Sequence, residues 1–424
     1  MSLWQVERLG RRGEGVARDA EGRLALAPLT LPGEVIEGEV AAPDPGEPAR
    51  PQGRIAQPRI VTPSLRRVAA PCPHYRACGA CSLMHADDAF VAGWKAGVVT
   101  QALAAQGLAA DVAAVHTSPP RSRRRAVLAG RRTKKGALVG FHARASDVIV
   151  DVAECLVVRP AILAALPLLR RIVTAGASRS GTLDLTVTEG PAGLDVAVTG
   201  GKPADGALLA TFAALAAEGD LARLTWDGEA LTRRPPWQAM GRARVVPPPG
   251  AFLQATAEGQ AALTAAVLAA TSGAGRVLDL FAGCGTFTLP LAETAEVHAV
   301  EGLAPPLAAL DAGWRAAPGL RRVTSESRDL ARRPLTGDEL TGVDAIVIDP
   351  PRAGAEAQAA AIAASAVPTV AWIACDPVTF ARDARLMAAG GYAIARLEVV
   401  DQFRWSPHVE IAAVFRLAAA RASR

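Results

Sequence analysis

Two side chains near the C-terminus are of the types needed for covalent catalysis. Cys375 lies in the string A-C-D-P-V-T-F-A-R-D, and Glu410 ends the string S-P-H-V-E. A cysteine thiolate is a good nucleophile, and a carboxylate can act as a general base. Upstream of both, the string L-D-L-F-A-G-C-G-T-F at residues 278–287 is a glycine-rich turn typical of nucleotide-binding folds. Together these features predict covalent catalysis on a fold that binds a cofactor.

The glycine-rich turn favours an adenosyl cofactor without phosphates. A predicted strand runs directly into Gly283 and Gly285, where glycine lets the backbone turn tightly and approach a ligand. Glu301 ends the next predicted strand, V-H-A-V-E, at a position where a carboxylate can bind ribose hydroxyls. The third glycine that accommodates a pyrophosphate is missing from the turn. S-adenosylmethionine therefore fits this turn better than NAD.

The chemistry that needs a cysteine beside such a cofactor is methylation of a pyrimidine at carbon 5. That carbon becomes nucleophilic when a thiolate adds to carbon 6, and a base must then remove the carbon 5 proton. We expect Cys375 to be the nucleophile and Glu410 the base. Asp349 ends a further predicted strand and is followed by two prolines and Arg352. Methyltransferases that act on amino groups, an alternative, have an aromatic residue where Arg352 stands.

A run of basic residues in the middle of the chain predicts contact with nucleic acid. The formal net charge of the whole chain is only +5, but eight arginines and lysines crowd into residues 121–135. A solvated loop would also explain the run, whereas phosphate contacts require such a cluster. The candidate RNA-binding residues are Arg121, Arg123, Arg124, Arg125, Arg131, Arg132, Lys134 and Lys135.

Four of the six cysteines have a spacing that suggests metal ligation. Cys72, Cys78 and Cys81 lie close together, and Cys155 is a possible remote fourth ligand. The spacing leaves both a structural zinc ion and a [4Fe–4S] cluster open, although a compact triad with one remote partner suits the cluster better. Cys284, inside the glycine-rich turn, is expected to be a packing residue.

The chain is long enough for two or three domains, and its patterns predict a multidomain protein. Short strands broken by glycine and proline predict a β-barrel at residues 1–57, with a Pro/Gly-rich interruption at residues 43–51. We expect an α+β middle domain at residues 58–245. Alternating strands and helices predict an α/β domain at residues 246–424, with a mostly parallel, Rossmann-like sheet and an antiparallel last strand. No stretch suits a membrane span, so we expect a soluble, cytoplasmic monomer.

Across nearly its whole length the chain resembles the RNA uracil-5-methyltransferases, which methylate transfer and ribosomal RNA. The matching strings include F-L-Q at residues 252–254, I-D-P-P-R-A-G at 348–354 and D-Q-F-R-W-S-P-H-V-E at 401–410, besides those quoted above. The resemblance implies a class I S-adenosylmethionine methyltransferase fold, with Cys375 as nucleophile and Glu410 as general base. It implies cofactor contacts by Gln254, Phe281, Thr286, Glu301, Asp329 and Asp349, with Gly283 and Gly285 in the turn.

One branch of this family carries the C-x5-C-x2-C spacing and a later cysteine that together hold a [4Fe–4S] cluster. The resemblance therefore implies Cys72, Cys78, Cys81 and Cys155 as ligands of a structural cluster. Ribosomal RNA members of this branch begin with a small OB-like barrel called TRAM, which R-L-G-R-R-G-E-G-V-A resembles. The implied substrate is 23S ribosomal RNA, with transfer RNA as the alternative. A non-catalytic RNA-binding factor that has kept the fold is a rival from another class.

The chain departs from the family pattern at three positions. The family has serine and asparagine around the nucleophile, where this chain has Ala374 and Asp376. A carboxylate beside the thiol is expected to raise its pKa and slow its attack. Thr256 replaces a further asparagine, two residues after Gln254.

Overall fold

The computed structural model describes residues 2–41 and 53–418. The Pro/Gly-rich stretch at residues 43–51 lies outside these described residues. Within the described ranges no helix is long and apolar enough to span a membrane. The chain divides into two compact units. The first comprises Met1–Val98, His142–Val150 and Trp405–His408, and the second comprises Val99–Phe141, Asp151–Arg404 and Val409–Arg424.

The first unit begins with a six-stranded sheet in which most neighbours are antiparallel. Its strands are β1 (Ser2–Leu9), β2 (Gly15–Arg18), β3 (Leu24–Ala27), β4 (Val35–Gly38), β5 (Gly53–Arg54) and β6 (Arg59–Thr62), in the order β5-β3-β2-β1-β4-β6. One face buries Trp4, Val6 and Ile36 in a small core. The predicted strands are present, and the sheet extends beyond residue 57, because β6 pairs with β4.

Three elements cross the boundary between the units as the chain passes from one to the other. They are α1 (Asp88–Ala104), β9 (Gly136–His142) and β10 (Ile149–Asp151).

The second unit contains two large sheets, of which one includes the predicted basic hairpin. Within this unit its strands run in the order β9-β8-β11-β12-β13-β14. Along the chain, helices α3 and α4 lie between strands of this sheet. The ring centroids of Phe212 and Trp226 are 4.5 Å apart. The elements are β8 (Arg125–Thr133), α2 (Pro160–Ala164), α3 (Leu166–Gly176), β11 (Thr182–Gly190), β12 (Gly193–Thr199), α4 (Gly206–Glu218), β13 (Arg223–Trp226) and β14 (Glu229–Thr232). A two-stranded ribbon follows, formed by β15 (Gln238–Met240) and β16 (Ala243–Val245).

The other sheet of the second unit has eight strands in the order β19-β18-β17-β20-β21-β23-β22-β7. From β19 to β21 all neighbours are parallel, while β23 is antiparallel to β21 and to β22. The strands are β7 (Ala114–Thr117), β17 (Arg276–Leu280), β18 (Glu296–Glu301), β19 (Val323–Ser327), β20 (Ala345–Ile348), β21 (Thr369–Ala374), β22 (Tyr392–Asp401) and β23 (Glu410–Leu417). The predicted mostly parallel sheet with an antiparallel last strand is confirmed.

Both faces of this sheet are covered, which explains why its strands are nearly continuous apolar runs. On one face Leu278, Leu280 and Trp372 join a large core, and on the other Val277 and Val347 join a second core. The covering helices are α5 (Ala257–Ala270), α6 (Thr288–Leu291), α7 (Ala304–Arg315), α8 (Glu356–Ala363) and α9 (Pro377–Ala389), with a 3-10 helix at Gly337–Leu340.

The predicted boundary at residue 246 does not match this sheet. Strand β7 belongs to it and pairs in parallel with β22, although the sequence analysis assigned these residues to the middle domain. Val99 and Leu103, at the end of α1, are fully buried in its larger core. The sequence could not reveal this, because a four-residue edge strand carries little periodicity and its partner lies far along the chain.

Candidate active site

The predicted nucleophile and base lie at the same edge of the eight-stranded sheet. Asp349 follows β20 and Cys375 follows β21, so both lie at the carboxyl ends of neighbouring parallel strands. Strand β23 runs antiparallel to β21, and Ile411 pairs with Ala374. This reversal brings the start of β23, and with it Glu410, to the edge where β21 ends. In an open α/β sheet this is the edge at which ligands bind.

Burial and mutual repulsion make these groups hard to ionise. The pKa of Cys375 is raised to about 11, chiefly by burial and also by the carboxylates of Glu410 and Asp349, while Arg352 lowers it. The pKa of Glu410 is raised to about 8, chiefly by burial and also by Asp349. Burial also raises the pKa of Asp349 to about 7. At neutral pH the thiol is therefore protonated, and the carboxyl groups titrate close to the physiological range.

The loop that contains Arg352 follows Asp349. It is fixed to helix α9, which follows Cys375. The hydroxyl of Thr379 donates to the carbonyl of Arg352 at 3.1 Å, and Arg382 Nη2 donates to the carbonyl of Ala353 at 3.0 Å. The buried carboxylate of Asp383 accepts from the amide of Ala355 at 2.8 Å. These contacts give a role to the end of the C-D-P-V-T-F-A-R-D string, because they fix the backbone that carries Arg352 relative to α9.

Gln254 is buried beside Asp349. Its Nε2 donates to Asp349 Oδ2 at 3.4 Å, and its Oε1 accepts from Nε2 of Gln402 at 2.6 Å. Gln402 in turn is hydrogen-bonded to the Glu410 side chain. The sequence analysis quoted Gln402 within a motif but assigned it no role. The available signal was a glutamine directly after an apolar strand, near the predicted base.

The glycine-rich turn has the backbone that its sequence suggests. Gly283 has a φ of 54° and Gly285 a φ of 90°, in the left-handed region that glycine tolerates. A Cβ at Gly285 would lie 2.8 Å from Leu310, whereas a Cβ at Gly283 would meet nothing within 4 Å. Phe281 also has a left-handed φ, 62°, which is strained for a bulky side chain. The turn thus leaves its outer side accessible at Gly283.

Glu301 and the glycine-rich turn are joined by hydrogen bonds. Glu301 Oε2 accepts from the amide of Gly283 at 3.0 Å, and Oε1 accepts from the amide of Leu303 at 2.8 Å. Thr286, further along the turn, is half-buried. Asp329 is exposed just after β19, and its Oδ1 accepts from the amide of Ala331 at 3.0 Å. All of the predicted cofactor residues therefore lie in loops or at strand ends along the carboxyl edge.

Asp279 is a candidate functional residue that the sequence analysis missed. It lies inside β17 and is fully buried, and its Oδ2 accepts from the hydroxyl of Thr288. Its Oδ1 has no hydrogen-bond partner among the described residues. The pKa of Asp279 is raised to about 7, chiefly by burial and also by the carboxylates of Asp349 and Glu301. The signal was an acidic residue in the middle of an apolar strand, directly before the glycine-rich turn.

Two of the departures from the family pattern occupy helix N-caps. Asp376 accepts from the amides of Val378 and Thr379 at the start of α9. Thr256 accepts from the amide of Gly259 at the start of α5. Asparagine, aspartate and threonine can all cap a helix in this way. The expectation that the Asp376 carboxylate raises the pKa of the Cys375 thiol is therefore corrected. The carboxylates that raise this pKa are those of Glu410 and Asp349.

The structure divides the predicted RNA-binding residues into two groups. Arg124 is buried, and its Nε donates to the carbonyl of Gln254 at 3.2 Å. Arg125 donates to the carbonyls of Gly250 and Ala251, and the guanidinium of Arg123 lies 5.5 Å from the ring centroid of Phe403. The prediction of phosphate contact is therefore wrong for Arg124, which supports the Gln254 segment from within the protein. Its charge could not reveal its burial.

The remaining basic residues of the predicted group are accessible. Strands β8 and β9 form a hairpin in which Thr133 pairs with Gly136. Lys134 and Lys135 are exposed at its tip, Arg131 is exposed on β8, and Arg132 is half-buried. Arg121 is exposed in the preceding loop.

The four predicted metal ligands are distributed over both units. Cys78 and Cys81 are buried and Cys72 is half-buried in turns of the first unit, while Cys155 belongs to the second unit. Arg144 Nη2 donates to the carbonyl of Cys81 at 2.8 Å and to those of Tyr75 and Cys78 at 3.4 Å. Among the residues that the structure describes, no three histidine, cysteine or acidic side chains are grouped so as to hold a metal ion. The described side chains thus do not form an assembled cluster site.

Comparison with known proteins agrees with this fold. The chain resembles the crystal structure of Pyrococcus abyssi tRNA (uracil-54, C5)-methyltransferase with S-adenosyl-L-homocysteine, with a TM-score of 0.75 and 21% identity over 97% of this chain and 99% of that one. This likeness shows the fold of a methyltransferase that uses S-adenosylmethionine. The profile of the tRNA (Uracil-5-)-methyltransferase family matches residues 317–417.

Relatives over the full length of the chain establish the family. A Caulobacter vibrioides protein described as an uncharacterized RNA methyltransferase is 43% identical over 97% of this chain and 98% of its own length. The 23S rRNA (uracil(1939)-C(5))-methyltransferase RlmD of Chromohalobacter salexigens is 33% identical over 96% of this chain and 87% of its own length. The chain therefore belongs to the RNA uracil-5-methyltransferase family, and it is an enzyme that uses S-adenosylmethionine.

The capping role of Asp376 can be tested by two substitutions. Asp376→Asn should keep the cap and leave methyl transfer near the wild-type rate. Asp376→Ala should lower the free energy of unfolding by about 1 kcal/mol, because two amides at the start of α9 lose their acceptor. Denaturant unfolding and a methyl-transfer assay measure the two effects. A large rate increase in Asp376→Asn would instead show that this carboxylate restrains the thiol.

Proposed function

We propose that the enzyme methylates carbon 5 of uridine through covalent catalysis by Cys375 and Glu410. The observation that carries this proposal is the convergence of these two side chains with Asp349 at the carboxyl ends of β20 and β21 and the start of β23. Amino-group methyl transfer would need no nucleophile there, and Arg352 stands where an aromatic residue would stack an amino-bearing base.

In this proposal the Cys375 thiol loses its proton to solvent water, its sulfur forms a bond to carbon 6 of the uracil, and the ring electrons move to produce an enolate. Carbon 5 then bonds to the methyl group. S-adenosylmethionine supplies this methyl as an electrophile and leaves as the neutral thioether. Glu410 removes the proton from carbon 5, the electrons re-form the ring double bond, and the bond from Cys375 to carbon 6 breaks. A uridine in folded RNA has to leave its stack to reach Cys375.

The residues present fit the cofactor. We propose that the backbone of the turn at Gly283 and Gly285 approaches the cofactor closely, because a Cβ at Gly283 would meet nothing within 4 Å. Glu301 ends the neighbouring strand, where its carboxylate can accept hydrogen bonds from the ribose hydroxyls. The other proposed contacts along this edge are Gln254, Phe281, Thr286, Asp329 and Asp349. All of these residues and the catalytic pair lie in one chain, so we propose that the enzyme acts as a monomer. We also propose that it acts in the cytoplasm, where its RNA substrate is found.

We propose 23S ribosomal RNA as the substrate. Its support is the full-length likeness to an RlmD enzyme whose name gives that substrate, together with the N-terminal sequence R-L-G-R-R-G-E-G-V-A, which resembles TRAM. Transfer RNA is the alternative, from the name of the matching family.

The catalytic roles predict different defects for the two residues. Cys375→Ala should abolish methyl transfer, because carbon 5 is no longer activated. Glu410→Gln should still transfer the methyl group but release product very slowly, so that a covalent protein–RNA adduct accumulates. Labelled S-adenosylmethionine, denaturing gels and RNA from a strain lacking the gene measure both effects.

Cys284→Ala serves as the cysteine control, because Cys284 is buried in the glycine-rich turn. Normal methylation by Cys375→Ala would overturn the mechanism. Label in the large ribosomal RNA would support the substrate proposal, and label in transfer RNA would overturn it while leaving the mechanism intact. Absence of label in every RNA fraction from cofactor-bound wild-type enzyme would favour a binding factor without this activity.

We further propose that the β8–β9 hairpin contacts RNA phosphates through Arg131, Arg132, Lys134 and Lys135, with Arg121 nearby in sequence. Its support is the exposure of most of these cations at or beside the hairpin tip. Phosphate contacts by arginine and lysine release counterions, so they make binding depend strongly on salt.

Charge reversal at the hairpin tip tests this contact. Lys134→Glu with Lys135→Glu should weaken RNA binding and make it less dependent on salt, because about two phosphate contacts are lost. The matched control reverses the exposed Arg321 and Arg333, far from the hairpin in sequence. Filter binding at several salt concentrations gives the affinity and its slope. An equal loss in both double variants would mean that only overall charge matters.

The iron–sulfur cluster is a proposal that rests on the sequence. We propose Cys72, Cys78, Cys81 and Cys155 as its ligands because of their spacing and the family resemblance. In the first unit, Arg144 donates to the carbonyls of Cys78 and Cys81, which holds the turn that carries them. In the second unit, Sγ of Cys155 accepts from the amide of Val157 at 3.4 Å. Methyl transfer involves no electron transfer, so no step above requires the cluster.

Iron and sulfide content decide this proposal. Anaerobically prepared wild-type enzyme should contain about four iron and four sulfide per chain. Cys81→Ser should lose most of both, because a ligand is removed, while Cys284→Ser should retain them. Equal iron content in the two variants, or zinc in place of iron in the wild type, would contradict the cluster.

A further inference from the structure

Gln402 lies between the proposed base and the residues beside the cofactor. It directly follows β22 and is only 2% exposed. Its side-chain amide has three partners in the second unit: the amide of Ala255, the side chain of Gln254 and the side chain of Glu410. A glutamine amide has two donor hydrogens and one acceptor oxygen, so these partners use the whole amide group.

The orientation of the Gln402 amide is set by the backbone. The amide of Ala255 can only donate, and it lies 2.7 Å from Gln402 Oε1. The Nε2 group must therefore point the other way, towards Oε1 of Gln254 at 2.6 Å and towards the Glu410 carboxylate. A flipped amide would place two donors against each other at Ala255 and an acceptor against acceptors at Gln254 and Glu410.

This orientation is passed on to Gln254. Because Oε1 of Gln254 accepts from Gln402, its Nε2 faces Asp349 Oδ2 at 3.4 Å. The backbone amide of Ala255 thus sets the direction of a chain that runs from Glu410 through Gln402 and Gln254 to Asp349. In a buried site, hydrogen-bonded chains of this kind give their members one fixed arrangement.

We propose that Gln402 is a positioning residue, which holds the base Glu410 and the cofactor-side amide of Gln254 in one hydrogen-bonded chain of fixed direction. The inference rests on the proposed role of Glu410 as the general base. It adds a link between the residue that removes the proton from carbon 5 and the residues beside the methyl donor.

The charges around Glu410 show why such a donor matters. Asp349, at the end of β20, faces Glu410 and raises its pKa, while Arg352 in the following loop lowers it. Cys375, at the end of β21, also interacts with Glu410. The neighbouring strand β22 ends in the buried Asp401. In this acidic environment, the hydrogen bond from Gln402 favours the ionised form of Glu410, which is the form that accepts a proton.

The consequence for pH follows from the sign of this effect. The Gln402 donor lowers the pKa of Glu410, so its removal raises that pKa above the value of about 8. A larger share of Glu410 is then protonated and inactive at any given pH near neutrality. The acid limb of the pH profile for proton removal should therefore move to higher pH.

Gln402→Met tests the proposal, because methionine has a similar length but cannot donate a hydrogen bond. RNA carrying tritium at carbon 5 of uridine reports proton removal, and labelled S-adenosylmethionine reports methyl transfer in the same single turnover. We expect tritium release to slow by roughly tenfold or more, and its acid limb to rise by about one pH unit. Methyl transfer should slow less.

Gln358→Met is the matched control. Gln358 is a second fully buried glutamine, whose amide is hydrogen-bonded to the backbone of Leu335 at 2.9 and 3.0 Å. Its substitution should reduce stability comparably, as thermal unfolding will show, without moving the pH profile. A purely structural role of Gln402 would give the two variants the same profile.

The outcomes separate this inference from the function on which it rests. If Glu410→Gln releases tritium normally, the proposed base is wrong, and the inference fails with it. If Glu410→Gln is defective but Gln402→Met keeps the wild-type acid limb, only the role of Gln402 is overturned. In the double variant, Gln402→Met should add little to the defect of Glu410→Gln, and an additive defect would also contradict the proposal.

Discussion

The withdrawal of several acidic groups from water is the constraint on which the rest of the site depends. Asp279, Asp349 and Glu410 are all held in surroundings that disfavour their charge, and burial is the main cause of each raised pKa. Groups of this kind persist only where hydrogen bonds and nearby cations compensate for the lost hydration. The hydroxyl of Thr288 donates a hydrogen bond to Asp279, and the side-chain amide of Gln254 donates one to Asp349. In the proposed arrangement of the cofactor, the sulfonium of S-adenosylmethionine would bring a positive charge to these carboxyl groups.

Local structure explains why the chain can depart from its family without losing the site. Asp376 and Thr256 differ from the asparagines found elsewhere, but each accepts hydrogen bonds from the first turn of a helix. The property retained is the ability to cap, and not the identity of the side chain. The helix that Asp376 caps also holds the Arg352 loop through Thr379 and Arg382. The backbone that follows the nucleophile is therefore fixed by the helix cap and by hydrogen bonds to the Arg352 loop.

Features with a short sequence signature were predictable, and those created by distant partners were not. The strands that end near Glu301, Asp349 and Cys375 were identified because buried parallel strands are apolar runs of characteristic length. The antiparallel last strand was also confirmed. Arg124 was misassigned, because its charge is evident in the sequence whereas its burial depends on residues more than a hundred positions away. Gln402 was overlooked for the same reason, since two of its three partners, Gln254 and Ala255, lie more than a hundred positions away.

The short strand β7 constrains how the regions of this enzyme can evolve. An exposed strand edge invites pairing with other chains and hence aggregation, and β7 covers the edge of β22 that would otherwise be open. His116 on β7 also reaches across to Glu398 of β22 at 2.8 Å. A segment that precedes the methyltransferase fold by more than a hundred residues thus protects its sheet. Such a sheet is not a freely transferable module, and the upstream region and the catalytic region are constrained to be inherited together.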